Sequence, residues 1–307
     1  MSDLRSATQA PIATTFALAT VGVVAVSLSG PLMAAATAVP ALAMAFWRSG
    51  LGAAALIGPA IARKDELQRL GRHQVKQSCS AGVMLAAHFA TWVSSLTYTS
   101  VASATALVCL QVAWVVLFAR LGGKRSSAQV WAGLAVALAG VLVVSGVDFA
   151  ISNRALVGDG LALLGGIFAA VYTIAGGKAR QDMSTTAYTS ICYSTCALVL
   201  LGGAVIGGVQ LWGYDAESWL LIIAVTVVAQ LLGHSVFNHL LATVSPTVVS
   251  LTLLLEVPGA ALLAGVLLDQ APPLAAYVGL TLICTGLALV VRARSRDADD
   301  SREAPFD

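Results

Sequence analysis

From Gln77 to Ala119 the chain reads QSCSAGVMLAAHFATWVSSLTYTSVASATALVCLQVAWVVLFA, without one Asp, Glu, Lys or Arg. Crossing the hydrocarbon core of a bilayer takes about 20 apolar residues as a helix, so this stretch holds two spans joined by a tight turn around Tyr98-Thr99-Ser100. Backbone in lipid must satisfy its own hydrogen bonds, and the missing two-residue alternation excludes a barrel, leaving helices. The stretches between Arg5 and Arg48 and between Glu217 and Glu256 are equally free of formal charge. Each holds one helix and the opening part of the next.

The whole composition agrees. Of the 307 residues 58% are hydrophobic and only 10% charged, whereas a soluble domain carries roughly 25% charge to cover its surface. The net charge of +2 is too small to suggest a nucleic-acid partner. Cys79, Cys109, Cys192, Cys196 and Cys284 lie in or beside apolar runs without metal-ligand spacing, and read as packing residues.

The pattern predicts an all-α polytopic membrane protein with ten transmembrane helices, at 12–30, 40–62, 78–97, 101–119, 128–146, 158–177, 187–209, 218–242, 246–268 and 272–292. Turn chemistry marks Ser29-Gly30-Pro31, Ser245-Pro246 and Pro272-Pro273. Small residues at Ala34, Ala36 and Ala38 would suit a signal-peptide cleavage site, but the weakly basic start and long apolar run favour a span. All but two of the 17 Lys and Arg fall at the N-terminus, in the loops after helices 2, 4 and 6, or in the tail. Arg154 alone lies on the other side, and Arg48 lies within helix 2. Positive charge stays inside, so both termini are expected in the cytoplasm, with the protein in the plasma membrane.

Sliding the chain by 146 residues brings His88 onto His234, Gly133 onto Gly279 and Gly140 onto Gly286, together with several leucines. This divides the chain into five-helix repeats at 12–146 and 156–292, followed by a tail at 293–307. An odd helix number makes the second copy enter the membrane from the opposite side, a 5+5 inverted repeat. Secondary transporters built this way bind substrate near mid-membrane, where the halves meet.

The sequence resembles the drug/metabolite transporter superfamily in its EamA-type branch, over nearly its whole length. The resemblance is carried by His88-Phe89-Ala90-Thr91-Trp92, Ser95-Leu96 and Tyr98-Thr99-Ser100-Val101-Ala102-Ser103, then by Gly158-Asp159, Ala162-Leu163 and Tyr172. Gly233-His234-Ser235, Phe237-Asn238, Ser245-Pro246-Thr247, Ser250 and Glu256 continue it, and Arg48 matches a basic residue common in helix 2. The family's mid-helix-4 proline is replaced by Gln111-Val112, its Glu-Pro pair is opened to Glu256-Val257-Pro258, and its acidic residue after helix 4 is missing around Gly122-Gly123. The resemblance implies an exporter of metabolites, amino-acid- or drug-like, with no nucleotide, metal or other cofactor.

Ionisable residues within spans are costly, and each is a functional candidate. Glu256 near the centre of helix 9 suits substrate binding or proton coupling; its structural alternative is to partner Arg48. His88 and His234 either line a polar path or bond neighbouring helices. Gln230, His234 and Asn238 form one polar stripe on helix 8, and Gln111 lies at mid-depth in helix 4. Arg48 either holds a substrate carboxylate or pairs with an acid, while Trp92, Tyr98 and Trp114 supply a cavity wall or pack. Asp148, Asp159 and Asp269 read as water-reachable helix ends. Expected partners are a small-molecule substrate, the bilayer, a coupling proton and, in one arrangement, a second copy of the chain. A membrane-embedded enzyme is the rival class, but no phosphate loop or intramembrane aspartyl-protease motif completes itself, and no enzyme is expected. A non-transporting receptor or assembly subunit is the third.

Overall fold

In the computed structural model, residues 12–123, 127–146, 152–269 and 274–303 are described, and their elements are helices with no strand among them. Arg5, Lys124, Arg125, Asp148 and the Pro272-Pro273 turn lie outside the described residues. Among the described residues six helices are long and apolar enough to cross a membrane: α1 (Ala13–Ala35), α4 (Val101–Leu121), α6 (Asn153–Ala179), α7 (Thr185–Ile206), α8 (Ala216–Leu240) and α9 (Pro246–Leu268). Between them run α2 (Ala41–Ala55), α3 (Arg72–Ser95), α5 (Ala128–Gly146) and α10 (Leu274–Glu303). These four are shorter in their apolar part or more polar: α3 carries Arg72 and Lys76 in its first turns, and α2 is followed by a separate short helix, Ile57–Ile61. Lys64–Arg69 adds a further short helix before α3.

Helix starts follow capping chemistry. Ser100, Ser152, Ser184, Asp215 and Ser245 each accept a backbone N–H three residues on, satisfying one of the donors a helix N-terminus leaves free. Pro246 then occupies the first turn of α9, where a missing N–H costs nothing. At Ser29-Gly30-Pro31 the helix is interrupted only at Leu28, between Ile12–Ser27 and Ser29–Ala35, and the span α1 runs on to Ala35. Pro31 sits in the first turn of the segment Ser29–Ala35, so its ring and lost donor disturb little.

Without a hydrophobic drive between helices in lipid, close backbone approach through small residues holds the bundle. The tightest example is α5 against α10. A Cβ added to Gly140 would lie 2.5 Å from the carbonyl oxygen of Gly279, and one added to Gly286 would lie 2.5 Å from that of Gly133. The glycine pairs aligned in sequence, Gly133/Gly279 and Gly140/Gly286, thus meet crosswise, the contact that a two-fold relation between the halves produces. Elsewhere α3 packs on α6, α7 packs on α2 and α3, and α1 packs on α8. Near the middle of α2, Trp47 donates to the carbonyl of Leu211 and clusters with Trp212 and Trp219.

Between the ends of α2 and α3, Glu66 accepts the Ser184 N–H at 2.7 Å and lies 3.6 Å from Arg63. Partial burial pushes its carboxyl up, but the Ser184 bond with the Arg63 and Arg180 charges outweighs this and holds it below the ordinary value. A carboxyl lowered on folding contributes stability above its unfolded value and loses it as pH falls through the folded one. Acid should therefore release the α2–α3 segment from Ser184. Hydrogen exchange checks this: protection of the Ser184 amide should fall in acid towards that of Glu66→Ala at neutral pH. In the bundle, Gly140→Val should destabilise by about 1–3 kcal/mol through overpacking, read as a lower unfolding midpoint in detergent. Gly202→Ala, with nothing within 4 Å of the added atom, should not.

Candidate functional site

A small cavity opens where α1, α3, α4, α6, α8 and α9 meet. Each of these helices contributes a lining side chain, so both halves of the sequence build it. Ser29, His88, Gln111, His234, Asn238 and Glu256 form most of its polar wall, with Trp92, Tyr172 and Phe237 as aromatic neighbours.

Glu256 reaches the cavity because α9 is interrupted. Pro258 offers no N–H to the carbonyl of Leu254, and its ring would crowd that carbonyl in a regular helix. The carbonyl bonds Val257 N–H instead, in a tightened turn that also joins Leu255 N–H to Thr252. Glu256 opens the second segment, Glu256–Leu268, where an acidic group is favoured by the helix dipole. Its side chain is buried and makes no hydrogen bond with the described residues. Helix α4 has the same construction without a proline. Val101–Val108 ends in tightened turns, Leu110 to Leu107 and Ala113 to Leu110, and Gln111 opens the second segment. The capping serines Ser100 and Ser245 are 145 residues apart, as are Gln111 and Glu256. This register is one residue shorter than the 146 that aligns the histidines, so sliding the sequence at a single offset left Gln111 and Glu256 unpaired.

The two histidines come together, with ring centroids 6.4 Å apart. His88 Nδ1 lies 3.0 Å from the carbonyl oxygen of Gly165; a neutral ring donates there, which leaves Nε2 as an acceptor. The ring stacks on Trp92 at 5.7 Å. His234 presents its ring to the edge of Phe89 at 5.2 Å, and no hydrogen bond joins the two histidines.

The polar stripe on α8 divides between the cavity and the layer behind it. Residues Thr226–His234 form a π-helical segment in which Ser235 N–H reaches the carbonyl of Gln230, an irregularity frequent at functional sites. Tyr172 Oη donates to Asn238 Oδ1 at 2.7 Å, and Asn238 Nδ2 donates to Tyr193 Oη at 3.3 Å. Tyr193 Oη lies 3.1 Å from Ser235 Oγ, which donates to the Gln230 carbonyl. Behind Phe89, Arg48 Nε donates to Gln230 Oε1 at 3.1 Å. Arg48 is 0% exposed, its guanidinium stands 4.0 Å over the Phe89 ring, and Nη1 reaches Ser29 Oγ at 3.4 Å.

The structure therefore gathers Glu256, His88, His234, Asn238, Gln111 and Trp92 around one cavity, with Arg48 and Gln230 one layer deeper. Tyr98 is elsewhere: it is 42% exposed at the α3–α4 turn, with Arg154 over its ring. Trp114 lines a separate groove between α4 and α5 with Trp131. Arg48 and Glu256 form no ion pair; among the described residues Arg63–Glu66 is the pair that meets the distance. Asp159 is not at a water-reachable end either. It is buried within α6 and accepts from Thr99 Oγ1 at 3.0 Å, whereas Asp269 is the exposed C-cap of α9 with φ 54°. Sequence reasoning did not single out Ser29, Phe89 or Tyr193 as site residues. Their signal is weak, one hydroxyl or ring among many in apolar runs.

The network has a measurable consequence. Asn238→Leu strands the Tyr172 hydroxyl in the interior and should cost about 1–3 kcal/mol, against about 0.5–1.5 kcal/mol for Tyr172→Phe. Unfolding midpoints of both single variants and the double variant should show the two effects to be non-additive.

Comparison with known proteins agrees with this geometry. Residues 13–146 and 156–292 each match the EamA-like transporter family. No curated protein matches the chain. Among solved structures 29 chains match; one, titled only as the crystal structure of a protein, superposes with a TM-score of 0.72 at 20% identity, covering 92% of this chain and 98% of its own. At that identity the likeness is one of fold. With two matches that together span most of its length, the chain belongs to the EamA-like transporter family, integral membrane proteins of the drug/metabolite transporter superfamily.

Proposed function

We propose that the chain is a secondary active transporter that moves a small metabolite by alternating access. Helices α1–α5 and α6–α10 are then ten spans in two inverted repeats, over 12–146 and 156–292, with both termini and the tail at 293–307 in the cytoplasm and the protein in the plasma membrane. The observation that carries this reading is the cavity itself. It takes polar side chains from both repeats, and such groups are expensive at membrane depth unless they face a pathway. Interrupted helices are the other support. Tightened backbone in α4 and α9 brings Gln111 and Glu256 to the cavity, and irregular backbone within a membrane is tolerated where it lines such a space.

In this reading Glu256 is the coupling residue. It is a carboxyl free of hydrogen bonds that faces the cavity, so a proton and a solute can each reach it. His88 and His234 supply acceptors on the opposite wall, while Trp92 and Tyr172 offer aromatic contact to an amino-acid- or drug-like solute. Export is the direction favoured by the family resemblance.

Reconstitution in liposomes tests the proposal. Wild-type protein should exchange labelled metabolites from an amino-acid and drug panel, faster under a pH gradient. Glu256→Gln should lower the gradient-driven rate at least about tenfold, the scale of losing a positioned proton-transfer group. Unchanged gradient-driven transport by that variant would remove Glu256 from the coupling role.

A further inference from the structure

Behind the cavity wall the hydrogen bonding of Arg48 is incomplete in a specific way. The Nε–H and Nη2–H of a guanidinium leave one edge in parallel, a planar fork that fits a carboxylate through two bonds. In Arg48 one prong of that edge is used, by Gln230 Oε1 at 3.1 Å. The other, Nη2, is buried with no protein acceptor, and so is the Gln230 amide nitrogen, Nε2. Both residues are 0% exposed. Turning the Gln230 amide over does not help, because its NH₂ would then face the Nε–H of Arg48. Two orphan donors on a mutually bonded pair, one of them cationic, describe a place for an anionic oxygen.

The charge balance points the same way. A buried guanidinium keeps its charge and needs a counter-charge nearby, yet Ser29, Met33, Gln230 and the Phe89 ring are its neighbours, and none is acidic. Two acids are buried within the described helices. Asp159 is engaged by Thr99; Glu256 faces the cavity without a hydrogen bond. Ser29, which receives Arg48 Nη1, itself lines that cavity, so a single side chain separates the guanidinium from a solute.

We infer that Arg48 Nη2 and Gln230 Nε2 are the two prongs of a carboxylate receptor, a fork which Glu256 and the carboxylate of a transported solute fill in turn, each displacing the other. The inference deepens the transport reading and rests on it. A solute carboxylate that takes the fork frees Glu256 for a proton, and a Glu256 carboxylate that takes it expels the solute, so one fork makes the two occupancies exclusive.

Binding of benzoate and hexanoate to the purified full chain in detergent, read from unfolding midpoints across a concentration series, tests this, with benzamide and hexanamide as neutral isosteres. The acids should raise the midpoint saturably and the amides should not. Glu256→Gln, which removes the internal competitor, should bind the acids about tenfold more tightly. Arg48→Lys keeps the buried charge but lacks the Nη2 prong, and should bind them about tenfold more weakly. Acids that fail to stabilise the chain, acids and amides that act alike, unchanged affinity in Arg48→Lys, or unchanged affinity in Glu256→Gln would each overturn the inference. Because binding is read without transport, a chain that binds acids yet moves nothing sinks the transport reading alone. One that transports solutes but ignores the difference between acid and amide sinks this inference alone.

Discussion

Arg48 is a permanent cation, wholly enclosed, among helices too apolar to hold it without help. The surrounding polar order follows from the need to accommodate it. Gln230 turns its carbonyl oxygen to Nε, the Phe89 ring offers its face, and Ser29 accepts from Nη1. The same glutamine sits inside the π-helical segment of α8, whose widened turn gives its backbone carbonyl to Ser235 and Tyr193. From there hydrogen bonds run through Asn238 to Tyr172 on the cavity wall. One buried charge thus ties α1, α2, α6, α7 and α8 into a single polar system, and partial satisfaction of such a system is where its chemistry resides.

Irregular backbone falls where this system needs it. The breaks in α4 and α9 and the π segment of α8 all border the cavity or the layer behind it. Each places a polar side chain that a straight helix would aim differently. Helix α7, which brings Tyr193 to the network, has no such interruption.

Much of the fold was legible in the sequence because one strong constraint, lipid as solvent, writes itself as long charge-free runs. The segments 101–119 and 246–268 fall within a residue or two of α4 and α9. The glycine and histidine repeats were legible too, since glycine is retained where backbones touch and histidine is scarce. Less visible was anything that depends on register. The turns before α4 and α9, 96–99 and 241–244, are equally long, so the slip between the halves lies inside α3 and α8, and one fixed offset paired the histidines but separated Gln111 from Glu256. Depth along a helix was legible only coarsely. Asp159 and Tyr98 lie near the same end of the bundle, yet one is 3% exposed and the other 42%, a difference set by how Thr99 and Arg154 pack and not by hydropathy. The pairing of Arg48 with Gln230, 182 residues away, leaves no local trace at all.

The crosswise glycines of α5 and α10 carry a mechanical consequence. Contact at two levels, Gly133 with Gly286 and Gly140 with Gly279, fixes the two rods both along their length and in their spacing. Rods held at two levels resist sliding, separation and tilting together, so this pair of helices is braced against shear as a ladder's rails are by two rungs.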